Sequence, residues 1–414
     1  MSLLKNITYK LFSLLISLLF IFPILKENIS SGITIILCIN TLLYTISIKN
    51  YKAISTEVLF LTIPFWIILS RSLFSNHFSD SINHISHSLF FLIIPLFFFL
   101  IPKEHFNLNK INHYLFILKS VCLLIAVIYI VSFLVSVPSW KYEIISQNIS
   151  VFRDYIYSDF KYFVIHPTYY TSMLILCSAH SLEQFLNKKK YYEIIFVFVF
   201  LTITLLLLTR LNIVLLLITL FYILLFRNKL SGYKKLGFFT VVLSSMSILI
   251  YLTPGIKERF VELYSSFNIK PEAEAYDSTN TRKAIFDCSV SLSKENFITG
   301  VGFENLQSEL NSCFRSNYDS DFYKKNNYMT HNYYFYIFIS SGIIGLLFYL
   351  IYLFNIIKIA LKNKSFLFNL FLLNTLIVCL IEDYLYRHYG LLYFNLMLVC
   401  FIQHSKTIKD EIIK

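Results

Sequence analysis

Apolar windows of roughly 15 to 25 residues, long enough to cross a hydrocarbon core as helix, recur along nearly the whole chain. No other feature restricts the fold so tightly. Stretches such as FLIIPLFFFLI at 91–101 and IIFVFVFLTITLLLLT at 194–209 are apolar on every face. Barrel strands would instead read as short segments of alternating polarity. Composition agrees, with 57% hydrophobic and 14% charged residues and a mean hydropathy of +0.64. The chain therefore reads as an all-α polytopic membrane protein of about twelve transmembrane helices.

The expected spans lie near 11–25, 32–48, 54–74, 87–101, 113–137, 167–186, 191–208, 211–226, 236–253, 332–357, 366–381 and 389–403. Residues 1–253 thus hold helices one to nine, 254–330 form one large external loop, and 331–414 hold helices ten to twelve. Within the loop, KERFVELYSSF and TRKAIFDCSVSL are amphipathic and GVGFENLQSEL carries a glycine turn, which points to a small helical cap. A shorter external stretch, Pro138 to Pro167, is rich in Tyr, Ser and Asp.

Formal charge is +12, but the basic residues are dispersed between spans and form no nucleic-acid groove. Lys49 and Lys52, Lys103 and Lys110, Lys188 to Lys190, Arg227 with Lys229, Lys234 and Lys235, Lys358 with Lys362 and Lys364, and Lys406 with Lys409 all fall on one side. That side is cytoplasmic by the positive-inside rule, with the N-terminus inside as a retained first span. The opposite short loops, near Lys26, Arg71 and Arg387, are sparse in cations. Lys119 and Glu57 lie inside apolar windows, each about two turns from an end, where snorkelling is the expectation. Of the 7 cysteines, Cys38, Cys122, Cys177, Cys379 and Cys400 read as small buried hydrophobes. Cys288 and Cys313 share the external loop, where an oxidising compartment would let them pair, and the sequence leaves that pairing open.

Chemistry-bearing residues gather at the external face. Arg210 sits in LLLLTRLNIVLLL, between two spans with almost no loop, so its side chain must meet the interface or a cavity. A helix-end anchor is the bland reading; an anion-binding fork is the sharper one. Ser278 or Thr279 would cap a helix starting near Thr281, putting Arg282 in its first turn beside anion-favouring amides. Gly300 and Gly302 would allow a tight turn that folds this helix back onto the bundle. His331 and Asn332 open the tenth span, with Gly342 and Gly345 deeper in it, where small residues admit a neighbouring helix. His166 with Tyr169 in HPTYYTSM, and Glu382, Asp383, Arg387 and His388 in IEDYLYRHYG, complete an external vestibule that is cationic, aromatic and polar.

This order of features, from HPTYYTSM through the hairpin arginine and the looped arginine with its GxG turn to HNYYFYIFISSGIIG, resembles the O-antigen ligase family. The resemblance covers most of the chain from His166 onward. It implies a glycosyltransferase of the bacterial inner membrane, active on the periplasmic face, with a polyprenyl (undecaprenyl) diphosphate glycan as donor and a lipid A-core glycolipid as acceptor. It implies no metal and no cofactor. Arg210 and Arg282 would be its functional arginines and His331 its functional histidine, with His166, Tyr169, Asn332, Arg387 and His388 as substrate-binding candidates. The chemistry fits those assignments. The leaving diphosphate gains negative charge in the transition state, which fixed guanidinium groups stabilise, and the attacking hydroxyl must lose a proton, which an imidazole is suited to accept.

Three other readings compete. The related polymerase joins one lipid-linked repeat to another; such enzymes often carry an arginine eleven residues before a glycine, and no arginine of this chain stands at that distance. A transporter of lipid-linked sugar would line the midplane with charge, against the one-sided distribution here. A structural assembly partner leaves the external arginines and histidine without a reason.

Overall fold

The computed structural model describes residues 2–48, 55–75, 78–137, 150–163, 165–227, 278–318 and 321–413, with isolated positions at 232–233, 237, 240 and 244. Among the described residues all regular structure is helical. In chain order the helices are α1 (Ser2–Leu19), α2 (Glu27–Ile48), α3 (Thr56–Leu61), α4 (Ile63–Leu73), α5 (Phe78–Phe98) and α6 (Leu108–Ser136). There follow α7 (Ser150–Asp154), α8 (Pro167–Lys188), α9 (Glu193–Leu206), α10 (Arg210–Phe226) and α11 (Ser278–Glu295). The last are α12 (Leu306–Asn317), α13 (Asp321–Lys325), α14 (Tyr333–Asn363), α15 (Phe366–Val378) and α16 (His388–Ile413).

Each expected span except the ninth coincides with a helix or a helix pair; the ninth, and the segment KERFVELYSSF, lie outside the described residues. By length and composition, α2, α5, α6 and α14 can cross a membrane, and α4, α9, α10 and α15 are shorter apolar helices. The third expected span is split at Thr62 into α3 and α4. Pro64 explains the split, since it has no N–H to give and its ring crowds the preceding turn.

The chain divides into two units: one of residues 1–16, 31–111 and 265–414, the other of 17–30 and 112–264. Unit two is built on α8, whose residues from Pro167 to Leu182 are buried on every face, with α9 and α10 packed against it. Here Lys119 departs from the snorkelling expectation. Its ammonium is fully buried and paired with Glu193, because α6 starts at Leu108 and carries Lys119 some three turns inward. Buried charge is tolerable only when paired. Glu57, in unit one, pairs with Lys406 near the surface instead.

Unit one is organised around α16, buried throughout from Leu391 to Ile402, with α5 packed along it, α4 against α5 and α14 against α4. Its cap is α11 and α12, joined by a disulfide between Cys288 and Cys313 with a Cα–Cα distance of 5.9 Å. Between these helices the segment from Phe297 to Gly302 turns back and inserts into α14. That helix is interrupted at Gly342, with φ 65° and ψ −168°, a conformation essentially restricted to glycine. The interruption frees backbone groups that the turn then satisfies. Val301 N donates to Ile339 O at 2.8 Å, Gly302 N to Ser340 O at 3.0 Å, and Ile343 N to Phe297 O at 2.8 Å. The approach leaves no room for side chains: a Cβ on Gly342 would lie 2.6 Å from Thr299 N, and one on Gly300 would lie 2.6 Å from Gly342 N. Arg71 of α4 closes the turn from outside, donating to the carbonyls of Thr299 at 3.1 Å and Gly300 at 3.3 Å. The glycine turn therefore ties the cap to the bundle, as its sequence suggested.

Candidate active site at the start of α14

Thr330, His331 and Asn332 form the bend from which α14 begins, and two adjacent carboxylates from the turn after α15 hold it. Asp383 accepts from the Thr330 hydroxyl, from His331 N at 2.9 Å and from Asn332 N at 3.3 Å. Asn332 is the helix cap: its Oδ1 accepts from Tyr334 N at 3.0 Å and Phe335 N at 3.1 Å, and its Nδ2 donates to Leu380 O at 3.0 Å. Tyr333 N adds a bond to Cys379 O at 2.8 Å. Held this way, His331 adopts φ +43°, the left-handed region in which a residue with a Cβ is strained by about 1–3 kcal/mol. The clamp supplies what keeps it there.

Glu382, the neighbour of Asp383, faces the side chains. It is 7% exposed, and its Oε1 lies 3.4 Å from Arg282 Nη2 while its Oε2 lies 3.3 Å from His331 Nδ1. One buried carboxylate thus joins the cap arginine to the imidazole. With Nδ1 donating to Glu382, Nε2 carries the lone pair, and the ring, 33% exposed, can present it to a ligand. Arg282 is 49% exposed, and among the described residues its guanidinium bonds to Glu382. Burial raises the Asp383 carboxyl above the ordinary range, and the Thr330 hydroxyl and the neighbouring imidazole only partly offset it.

The sequence placed Arg282 in the first turn of its helix. The helix instead includes Ser278, which puts Arg282 in the second turn and out of reach of the N-terminal amides. The offset arises because Thr281 is buried, 3% exposed, and belongs to the face that packs inward with Ala284, Ile285 and Cys288. Of the other expected residues in unit one, Arg387 is exposed and His388 is half-buried, edge-on to Phe90 at 5.2 Å.

The remaining candidates belong to unit two. Arg210 is the first residue of α10, after a connection of Leu207, Leu208 and Thr209 in which Leu208 has φ +51°. It is half-buried. A cation at a helix N-terminus is disfavoured by the dipole unless an anion accompanies it. His166 is the cap of α8, its Nδ1 accepting from Thr168 N at 3.3 Å, and Tyr169 is buried against it with ring centroids 5.2 Å apart.

Glu382 and Asp383 were visible in the sequence only as outer-face carboxylates. Their signal was the pair ED at the end of an apolar helix, where two charges together need partners. Glu304 carried no signal at all, yet it is held by the hydroxyls of Ser75 at 2.6 Å and Ser81 at 3.2 Å, securing the end of the glycine turn.

No curated protein matches the chain. Residues 195–350 match the family model described as O-antigen ligase. That segment holds Arg210, Arg282 and His331, and over it the chain is similar to the O-antigen ligase family, whose members are glycosyltransferase-like enzymes.

Proposed function

We propose that this protein transfers a glycan from a polyprenyl (undecaprenyl) diphosphate carrier to a hydroxyl of a lipid A-core acceptor in lipopolysaccharide synthesis. It would do so at the periplasmic face of the bacterial inner membrane, from a scaffold of about twelve spans. One observation carries this reading: Glu382 joins Arg282 and His331, so a phosphate-binding cation and an oriented imidazole share one buried carboxylate. The loop disulfide fits an oxidising compartment.

In the reaction the acceptor hydroxyl attacks the anomeric carbon and its proton passes to Nε2 of His331. The bond from the anomeric carbon to the diphosphate oxygen breaks, and the leaving diphosphate keeps the electron pair. Arg282 stabilises the charge that develops there. Glu382 fixes the imidazole tautomer and stabilises the imidazolium once it forms, while Asp383 sets the backbone from which the ring projects. Arg210 is proposed as a donor-binding arginine on its position in the sequence. Arg387, exposed at the same turn as Glu382, is proposed to meet anionic substituents, and Asn332 acts by holding the bend. Direct displacement inverts the anomeric centre.

The test is transfer by purified variants. Arg282→Ala and His331→Ala should each lose transfer by at least ~10²-fold at normal protein levels, as removal of a charge-stabilising or proton-accepting group does. His331→Asn, which tolerates the left-handed backbone, should be equally inactive but better folded. Full activity in any of these would remove that residue's role.

A further inference from the structure

The glycine turn packs its backbone on α14 but turns apolar side chains outward: Phe297 and Ile298 are each more than half exposed, as is Phe286 of α11. α11 and α14 run side by side in matched register. Arg282 meets His331 through Glu382. Four residues further along each chain, Phe286 meets Phe335 with ring centroids 5.6 Å apart. At the foot of α11, Phe297 meets Phe338 at 5.8 Å, and its carbonyl accepts from Ile343 N at 2.8 Å. Position along α14 therefore measures depth for this part of the cap as well.

At its far end α14 carries Lys358 and Lys362, both exposed, where ammonium groups reach the interface. A hydrocarbon core of about 30 Å takes about 20 helical residues. Counted back from those lysines, the other edge of the core falls between Phe338 and Gly342, the stretch on which the turn packs. Below that edge α14 exposes Ile344, Leu347, Phe348, Ile351 and Phe354, a stripe that faces lipid in a membrane-spanning helix. Ile344 directly follows the residue bonded to Phe297, so the tip of the turn continues the stripe. Irregular backbone at this depth is tolerated only where protein satisfies its polar groups. Here Gly300 N bonds to Asn296 O at 3.0 Å, Val301 N and Gly302 N bond to α14, and the carbonyls of Thr299 and Gly300 accept from Arg71. Pairing with carbonyls is also how an arginine is kept near hydrocarbon. The neighbouring carboxylates lie on other sides of α11 from Phe286: Asp287 accepts from the Tyr318 hydroxyl and Glu295 from that of Ser291. Exposed Lys294 tilts toward the start of α11, as helical side chains do, and so toward the headgroups.

We infer that Phe286, Phe297 and Ile298 are embedded in the leaflet on the cap side, so that the foot of α11 and the glycine turn form a shallow re-entrant element at the edge of the acyl chains. The partner of this face is the bilayer itself. The inference stands on the packing of α11 against α14 and is independent of the reaction the protein performs.

Tryptophan fluorescence of the full chain in lipid nanodiscs tests it. The two native tryptophans, Trp66 and Trp140, are replaced by phenylalanine, and single tryptophans enter as Phe286→Trp, Phe297→Trp and Ile298→Trp, at exposed positions with room for the larger ring. Gel mobility of the Cys288–Cys313 bond reports that each variant has formed its cap. Phospholipids brominated near the headgroup end of their acyl chains should quench all three more than phospholipids brominated near the chain ends. Acrylamide should quench them far less than it quenches free N-acetyltryptophanamide. Phe348→Trp, midway along the counted core, calibrates depth and should lose most emission to the chain-end bromines. Full acrylamide quenching of Phe297→Trp and Ile298→Trp, with no effect of brominated lipid, places the tip in water and overturns the inference. Emission untouched by either quencher means that another protein segment covers the face, and stronger quenching by chain-end bromines means that it lies at the midplane; each of these overturns the inference as well.

Discussion

Gly342→Ala should undo the seam that carries the cap. Alanine at φ 65°, ψ −168° is strained by about 1–3 kcal/mol, and its Cβ would meet backbone, which cannot swing aside as a side chain can. Relief requires the turn to withdraw, which breaks the bonds of Val301 N, Gly302 N and Ile343 N, each worth about 1 kcal/mol. The combined cost is about 4 to 6 kcal/mol, a large share of the ~5–15 kcal/mol that folded domains typically hold. Hydrogen–deuterium exchange in nanodiscs reads this locally. The amides of Val301, Gly302 and Ile343 should lose protection by ~10³- to 10⁴-fold, since each 1.4 kcal/mol is a factor of ten. Transfer should fall as well, because α11 then no longer holds Arg282 against Glu382. Gly32→Ala is the control: nothing lies within 4 Å of its Cβ, and alanine in a helix is favourable by up to about 1 kcal/mol. Protection at these three amides equal to wild type in Gly342→Ala would refute the reasoning.

Other expected outcomes are independent of that seam. Lys119→Ala should destabilise the protein by about 3–5 kcal/mol by leaving Glu193 buried and charged, whereas Lys119→Met with Glu193→Leu should recover most of the loss; thermal melting of the single and double variants decides it. After thiol blocking, the protein should change gel mobility on reduction, and Cys288→Ser should not; equal mobility in wild type with both thiols alkylated excludes the bond. Burial raises the Asp383 carboxyl, so the native state keeps a proton that the unfolded chain loses near pH 4. The associated stability is complete below that pH and is lost as pH rises through the folded value. A melting series should show this slope in wild type and not in Asp383→Asn. Arg282→Lys should fail in transfer as Arg282→Ala does, because a point charge does not reproduce the bidentate fork.

Much of the fold was legible because lipid admits few solutions. An apolar run with no alternation can only be helix, and the positions of the helices followed from hydropathy and from proline and glycine alone. The break at Thr62 was less visible, since Pro64 permits a kink or a stop and neighbouring helices decide which. Gly342 was read as a place for a helix to approach; what approaches is an extended turn, and that depends on Gly300 standing across from it, a pairing some forty residues apart that no local pattern announces. For the site, His331 stood out because an imidazole at the edge of an apolar segment needs a reason, and Arg282 because the sequence set it near the start of a helix in the external loop. Glu382 did not, because a carboxylate beside the membrane is ordinary until its partners are known. Lys119 was misjudged for the same cause, since its partner Glu193 opens a different helix.

The most direct measurement supplies purified protein with a radiolabelled polyprenyl-diphosphate glycan and a lipid A-core acceptor, and asks by gel which lipid carries the label. Transfer through Arg282 and His331 predicts label on the core glycolipid, absent in both alanine variants. A ladder of longer polyprenyl-linked chains would contradict the acceptor and assign polymerisation instead, and label remaining on the original carrier would contradict glycan transfer altogether.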